Sequence, residues 1–229
     1  MTDVAANWRR VRDQAADAAL RVGRDPRSVR IVAVSKTKPI GMIEQALAAG
    51  VTDVGENYVQ EAAEKIRRIT VPVTWHMIGH LQRNKAGRAV ELFDVIHTLD
   101  SVPLAAALAR HGEQRGQPVH VLIEVNTGGE ASKSGVAPGD VGALLAALAA
   151  QRWLLIDGLM TVPPATGAEA VRPHFRTLRA LRDRLRAAAA ANAPLRELSM
   201  GMTDDFTVAI EEGATLVRIG RAIFGERAG

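Results

Sequence analysis

Eight short runs of β-branched and apolar residues, each followed by a longer stretch rich in Ala and Leu, leave this chain few folds to choose from. The runs lie at 30–35, 53–55, 74–78, 95–99, 119–125, 155–160, 197–200 and 215–219. Their apolar character suits strands covered on both faces, as in a parallel sheet. The intervening segments, near 40–49, 58–69, 83–92, 102–115, 139–151, 168–191, 204–212 and 221–226, carry helical spacing, and a further helix over 3–22 precedes the first strand. Local signals agree: Gly50 and Gly213 stop helices, Pro103 opens one after Ser101, and Asp140 and Asp204 stand where a helix N-terminus favours a carboxylate. Eight β/α units with no strand left over predict a closed (β/α)8 barrel of the TIM type rather than an open doubly wound sheet.

At 229 residues, 47% of them hydrophobic, the chain suits one large core, so a single domain over 1–229 is expected. It has no cysteine, which excludes disulfides, thiolate metal ligands and a cysteine nucleophile, and fits a reducing compartment. The first twenty residues interleave Asp3, Arg9, Arg10, Asp13 and Asp17 with apolar positions, unlike a signal peptide, and no stretch reads as a membrane span. A cytoplasmic protein with no membrane partner is expected. The net charge of +4 rests largely on arginines at 172, 176, 179, 182, 184 and 186, and with 3% aromatic residues no base-stacking platform interleaves them. These arginines read as a solvated helix face, and no nucleic-acid partner is expected. A monomer is expected too, Trp8 on the first helix being the residue that would anchor a contact.

Barrels of this kind work at the C-terminal ends of their strands. There the sequence places Ser35-Lys36-Thr37-Lys38, Gly55-Glu56-Asn57, Gly79-His80, Glu124-Val125-Asn126, Met160-Thr161, Ser199-Met200-Gly201-Met202-Thr203 and Arg218-Ile219-Gly220-Arg221. Lys36 is one of only five lysines and follows the run 31–34 directly, so its stem rises from the barrel mouth. An arbitrary lysine at a strand end is a surface residue. In a polar rim of low dielectric its amine becomes nucleophilic toward an aldehyde. Lys38, next to Pro39, reads as solvated. The loops after strands seven and eight bring the Ser199 and Thr203 hydroxyls together with Gly201 and Gly220, whose backbone N–H groups an anion can approach closely, and a helix starts after each. A lysine and a phosphate site together point to a phosphorylated aldehyde.

Arg218 has the period-two position that faces the barrel interior, where an unpaired guanidinium is costly. It reads either as a buried salt bridge to Glu124 or another strand-end carboxylate, or as a cation on the pyridine nitrogen of a cofactor. Asn57 is a helix cap before Tyr58, a partner for the ring hydroxyl or imine, or both. His76 and His80 share the i, i+4 spacing of a helical metal pair, but the segment reads as strand then loop and lacks a third ligand, so no metal is expected. Met160, Met200 and Met202 read as packing near the rim.

The stretches 32–39, 55–58, 75–85, 158–160, 198–202 and 217–225 resemble, in order and along nearly the whole chain, the pyridoxal phosphate homeostasis protein family. The resemblance implies a barrel similar to the N-terminal domain of alanine racemase, with pyridoxal 5′-phosphate held as a Schiff base on Lys36. It also implies Ser199 and the backbone around Gly220 and Arg221 on the phosphate, and Arg218 near the pyridine nitrogen. The role implied is to bind and buffer the cofactor and deliver it to apoenzymes, with effects on amino-acid and keto-acid balance and no established turnover. The alternative is a pyridoxal phosphate-dependent amino-acid racemase. That reaction needs acid/base groups on both faces of the cofactor; Lys36 serves one, and Tyr58, the single tyrosine, sits early in a helix.

Overall fold

The computed structural model describes residues 2–130 and 134–226; the ends of the expected 1–229 unit lie outside the described residues. Eight parallel strands close on themselves in sequence order: β1 Arg30–Val34, β2 Asp53–Glu56, β3 Thr74–Met77, β4 Val95–Leu99, β5 Val119–Glu124, β6 Leu154–Met160, β7 Glu197–Ser199 and β8 Leu216–Ile219. Between them run α2 Ile40–Ala48, α3 Val59–Arg68, α4 Ala86–Leu92, α5 Val102–Arg115, α6 Val141–Leu148, α7 Arg172–Arg186 and α8 Phe206–Glu211, and the single turn α9 Arg221–Phe224 follows β8. The expected (β/α)8 barrel is the observed one. Helix ends differ most where the sequence offers few stops: 168–191 contracts to α7 because turns occupy 168–171 and 187–188, and 83–85 is a 3-10 turn before α4.

The helix ahead of the barrel, α1 Val4–Arg21, buries Val4, Trp8, Val11, Ala15 and Ala18, the alternating four- and three-residue spacing of one apolar stripe. The Asp3 carboxylate accepts from the Ala6 N–H and caps it. Trp8 is only 7% exposed and packs inward near Gly50, so it anchors α1 to its own barrel rather than offering a surface contact. The arginines of α7 are not simply solvated either. Arg172, Arg176 and Arg179 converge on Glu212, and Arg172 also pairs with Glu169 and Glu211, so this basic face is largely neutralised locally. No helix among the described residues is long and apolar enough to cross a membrane.

Period-two alternation sorts the strand residues into two cores. Ile31, Ala33, Val54, Trp75, Met77, Ile96, Val121, Ile123, Leu198, Val217 and Ile219 face the helices and join the large cluster. The opposite parity faces the barrel axis, and it splits in kind. Val32, Leu122, Met160 and Leu216, with Val95 against them, form a small apolar plug. Asp53, His76, His97, Ser199 and Arg218 make up a polar remainder in which every residue is at most 7% exposed even though it is charged or hydrogen-bonding. Buried polar groups of this number persist only when they satisfy one another.

Candidate functional site

At the C-terminal mouth lies a cavity of about 620 Å³, within the size range of small-ligand sites, lined among others by Lys36, Lys38, Asn57, Met202, Thr203, Arg218, Gly220 and Arg221. The structure thus brings Lys36, Asn57, Arg218, Gly220 and Arg221, all expected at the site, to one cavity. Ser199 and Gly201 stand behind it. The Ser199 side chain is fully buried, its hydroxyl accepting from Arg218 Nη1 (2.6 Å) and meeting His97 Nδ1 (2.9 Å). Its expected place on the phosphate gives way to one against the guanidinium. Gly201 has φ +93°, and a Cβ there would lie 2.5 Å from the Ala209 Cβ, so its glycine serves close packing of the β7 loop on α8; its carbonyl accepts from the Arg218 N–H.

Lys36 follows β1 on a loop that is held from α3. Lys65, buried at 4% exposure, donates to the Ser35 carbonyl (2.7 Å), Glu56 Oε1 (2.6 Å) and Glu61 Oε1 (2.6 Å). The Thr37 N–H donates to the same Glu61 oxygen (2.6 Å), and Thr37 sits at φ +62°, a left-handed conformation that a threonine adopts only when its surroundings impose it. Ser35 and Thr37, the two neighbours of Lys36, are therefore both fixed. Burial pushes the Glu56 carboxyl up, against hydrogen bonds from Lys65 and Ser35 that pull it down. Lys38, expected to be solvated, instead donates to the carbonyls of Gly225 (2.9 Å) and Glu226 (2.5 Å), tying the β1 loop to the end of α9.

Arg218 is buried and makes neither of the direct carboxylate contacts considered above. Nη1 goes to Ser199 and Nη2 to the Thr161 carbonyl (2.8 Å). Burial pushes the guanidinium down to about 10, with Asp205 and Glu124 opposing at longer range, so it stays a cation at neutral pH. Asn57 does not cap α3, which begins after Tyr58; its Oδ1 is buried in the cavity wall with no hydrogen-bond partner among the described residues. At the other end, the Asp205 carboxylate accepts from the Met202 N–H (2.6 Å) and closes the loop that carries Thr203, while Arg221 reaches across to Asp204. With α8 and α9 only six and four residues long, helix dipoles add little here. Thr203, Asp204, Gly220 and Arg221 line this end of the cavity.

His76 and His80 do not face one another. His80 is exposed near Asp100 (3.9 Å), whereas His76 is inside the barrel between Asp53 and His97. Sequence reasoning overlooked His97, Asp53, Glu56 and Lys65. The signals were present: histidines of inward parity in otherwise apolar strands, and a lysine on the Val59–Ala62 face of α3. Burial first, and then the neighbouring His76 and Arg218, hold the His97 imidazole well below its ordinary range, so it is neutral in the fold. The linkage is direct. An unfolded histidine takes a proton below about pH 6.5 and the folded one does not, so this part of the stability is complete above that pH and is lost as the pH falls below it. Urea unfolding from pH 7.5 to 5 should therefore show His97→Asn with a shallower acid loss than wild type, by up to about 1.4 kcal/mol per pH unit. Parallel profiles would show that His97 protonates freely.

The alanine racemase N-terminal domain model matches residues 2–228. The chain is 43% identical over 230 residues to the pyridoxal phosphate homeostasis protein of Pseudomonas aeruginosa, covering 99% of this chain and 97% of that one. It is 41% identical over 231 residues to the protein of the same name from Escherichia coli K12, covering 99% and 98%. Among solved structures, PipY of Synechococcus elongatus with pyridoxal phosphate bound superposes with a TM-score of 0.82 at 37% identity, over 94% of this chain and all of that one. A barrel with a lysine, an arginine and an anion-ready loop at its mouth, matched end to end at this identity, places the chain in the pyridoxal phosphate homeostasis protein family, built on the alanine racemase N-terminal domain.

Proposed function

We propose that this chain binds pyridoxal 5′-phosphate in the mouth cavity, buffers it and hands it to apoenzymes, without catalytic turnover of its own. The observation that carries the reading is one cavity lined by Lys36, a buried cationic Arg218, Gly220 and Asn57, whose buried Oδ1 has no hydrogen-bond partner among the described residues. When bound, the cofactor supplies an aldehyde that condenses with amines and a ring that withdraws electrons from them. Lys36 is the amine that condenses. Arg218 donates a hydrogen bond to the ring nitrogen without surrendering its proton, and Asn57 takes a hydrogen bond from the ring side. Thr203 and the backbone of Gly220 and Arg221 hold the phosphate. Ser199 acts through Arg218, and Gly201 by shaping the loop.

Delivery rather than racemisation is supported by the shape of the mouth. Tyr58, the single tyrosine, is 57% exposed and is not among the described residues that line the cavity, so it is not placed to serve as the second base that racemisation needs. The chain acts in this reading as a single cytoplasmic domain and a monomer, with the cofactor and its recipient apoenzymes as partners. Titration by visible absorption should show pyridoxal phosphate binding at least tenfold more tightly than pyridoxal, a difference of about 1.4 kcal/mol or more. Thr203→Ala should narrow that gap. Equal affinity of wild type for the two compounds would remove the phosphate site from the reading.

A further inference from the structure

The polar groups on the barrel axis form one continuous file. Arg218 Nη1 donates to Ser199 Oγ (2.6 Å); Ser199 Oγ meets His97 Nδ1 (2.9 Å); His97 Nε2 meets His76 Nδ1 (2.9 Å); and His76 Nε2 meets Asp53 Oδ1 (2.9 Å). The file runs from the cavity to the opposite end of the barrel, where the Asp53 carboxylate also accepts from the Thr52 hydroxyl (2.7 Å) and lies 3.8 Å from Arg30. Its three central members, Ser199, His97 and His76, are fully buried, so no solvent enters to randomise their protons.

With both histidines neutral, the chemistry of the two ends orders the protons between them. A guanidinium only donates and a carboxylate only accepts. Asp53 therefore requires a proton on His76 Nε2. A neutral His76 then presents a lone pair at Nδ1, which calls for a proton on His97 Nε2. That leaves a lone pair on His97 Nδ1, which takes the Ser199 proton, and the Ser199 oxygen is left to accept from Arg218. All four bonds point the same way, from Arg218 to Asp53. In the reverse polarity His97 donates to Ser199, and the Ser199 proton needs an acceptor other than His97.

We infer that Asp53, His76 and His97 are positioning residues, a polarised relay by which a carboxylate at the far end of the barrel sets the Ser199 hydroxyl as an acceptor and so fixes the orientation of Arg218 at the cofactor. The arrangement has an electrostatic consequence. The countercharge of Arg218 along this path is four hydrogen bonds away, so the guanidinium meets the ring with its field less quenched than a contacting carboxylate would leave it. Burial of His97, beside the Arg218 cation, keeps that imidazole in its neutral form. The link from Arg218 to the ring nitrogen rests on the proposed cofactor reading; the proton order within the file does not.

Long-range proton–nitrogen correlation spectra of the 15N-labelled full chain, at neutral pH and without added cofactor, read this order directly. In wild type both His76 and His97 should carry their proton on Nε2. Asp53→Asn, whose amide oxygen can take the same hydrogen bond, should preserve that pattern. Asp53→Leu should abolish the single Nε2-protonated state of His97 in favour of a mixture of tautomers, although Asp53 and His97 do not touch. A wild-type His97 protonated on Nδ1 or on both nitrogens overturns the relay, with no variant needed. So does an Asp53→Leu spectrum in which His97 is unchanged. With added pyridoxal phosphate, the Asp53→Leu absorption band should shift relative to wild type while Lys36 remains the trapped lysine. Failure of wild type to trap cofactor at Lys36 would count against the cofactor reading and leave the tautomer result standing.

Discussion

Mixed with pyridoxal phosphate, a Lys36→Ala variant will lose the visible Schiff-base absorption of wild type, and borohydride reduction followed by peptide mapping will find no cofactor on the chain. Among the described residues two lysines line the cavity, Lys36 and Lys38. Lys38 already donates to the carbonyls of Gly225 and Glu226, and condensation with an aldehyde would cost it both bonds. Lys36 is half-buried at the end of β1, and α3 holds the backbone on either side of it, which fixes where its stem leaves the chain beside the cavity. A Lys38→Ala variant should therefore retain the trapped peptide at Lys36. The loss in Lys36→Ala should be complete in the covalent signal, while Thr203, Gly220 and Arg218 still give weak reversible binding. Equal trapping in wild type and Lys36→Ala would move the chemistry to another amine and sink the assignment.

The parts of this site that were legible in the sequence are those set by strand position. The end of a parallel strand is the mouth of a barrel, so Lys36, Asn57, Arg218, Gly220 and Arg221 fall on the cavity because the alternation of strands and helices puts them there. What could not be read was which polar groups would satisfy which. Ser199 looks like a phosphate ligand by position, yet the inward parity of Arg218 and His97 brings both against its hydroxyl. Arg218 looks like half of a salt bridge, yet Glu124 acts on it only at longer range. Pairings of this kind depend on closure of the barrel, which sets β4 against β7 and β8 across an axis that no sequence separation encodes. Lys65 escaped for a different reason: on helical spacing it lies on the face that packs inward, a place where lysine is rare.

That buried lysine carries the second large effect. Replacing Lys65 with Met should destabilise the fold by about 3–5 kcal/mol, the cost of leaving a buried charge without its partner. Three acceptors lose a donor at once: the Ser35 carbonyl, Glu56 Oε1, which keeps only the Ser35 hydroxyl, and Glu61 Oε1, which keeps the Thr37 N–H. Glu61 is partly exposed and can turn to water, but the Glu56 side chain is fully buried and its Oε2 already lacks a partner, so most of the penalty falls there. Burial alone pushes the Glu56 carboxyl up, and without Lys65 little but Ser35 opposes it. The sign of the pH dependence follows. A carboxyl raised in the folded state contributes stability that is complete below its unfolded value, about 4.3, and lost as pH rises through the folded one, so Lys65→Met should cost more at pH 8 than at pH 5. Adding Glu56→Gln, which removes the stranded charge, should recover a large share of the loss and flatten that difference. Cofactor affinity should not recover with it. The tie from Lys65 to the Ser35 carbonyl is gone in both variants, so the loop bearing Lys36 is slack in both, and binding of pyridoxal phosphate should stay weaker by roughly tenfold. Urea unfolding at the two pH values and titration at one separate the two roles. A double variant that regains stability and affinity together would mean that Lys65 only neutralises Glu56 and does not hold the catching lysine in place.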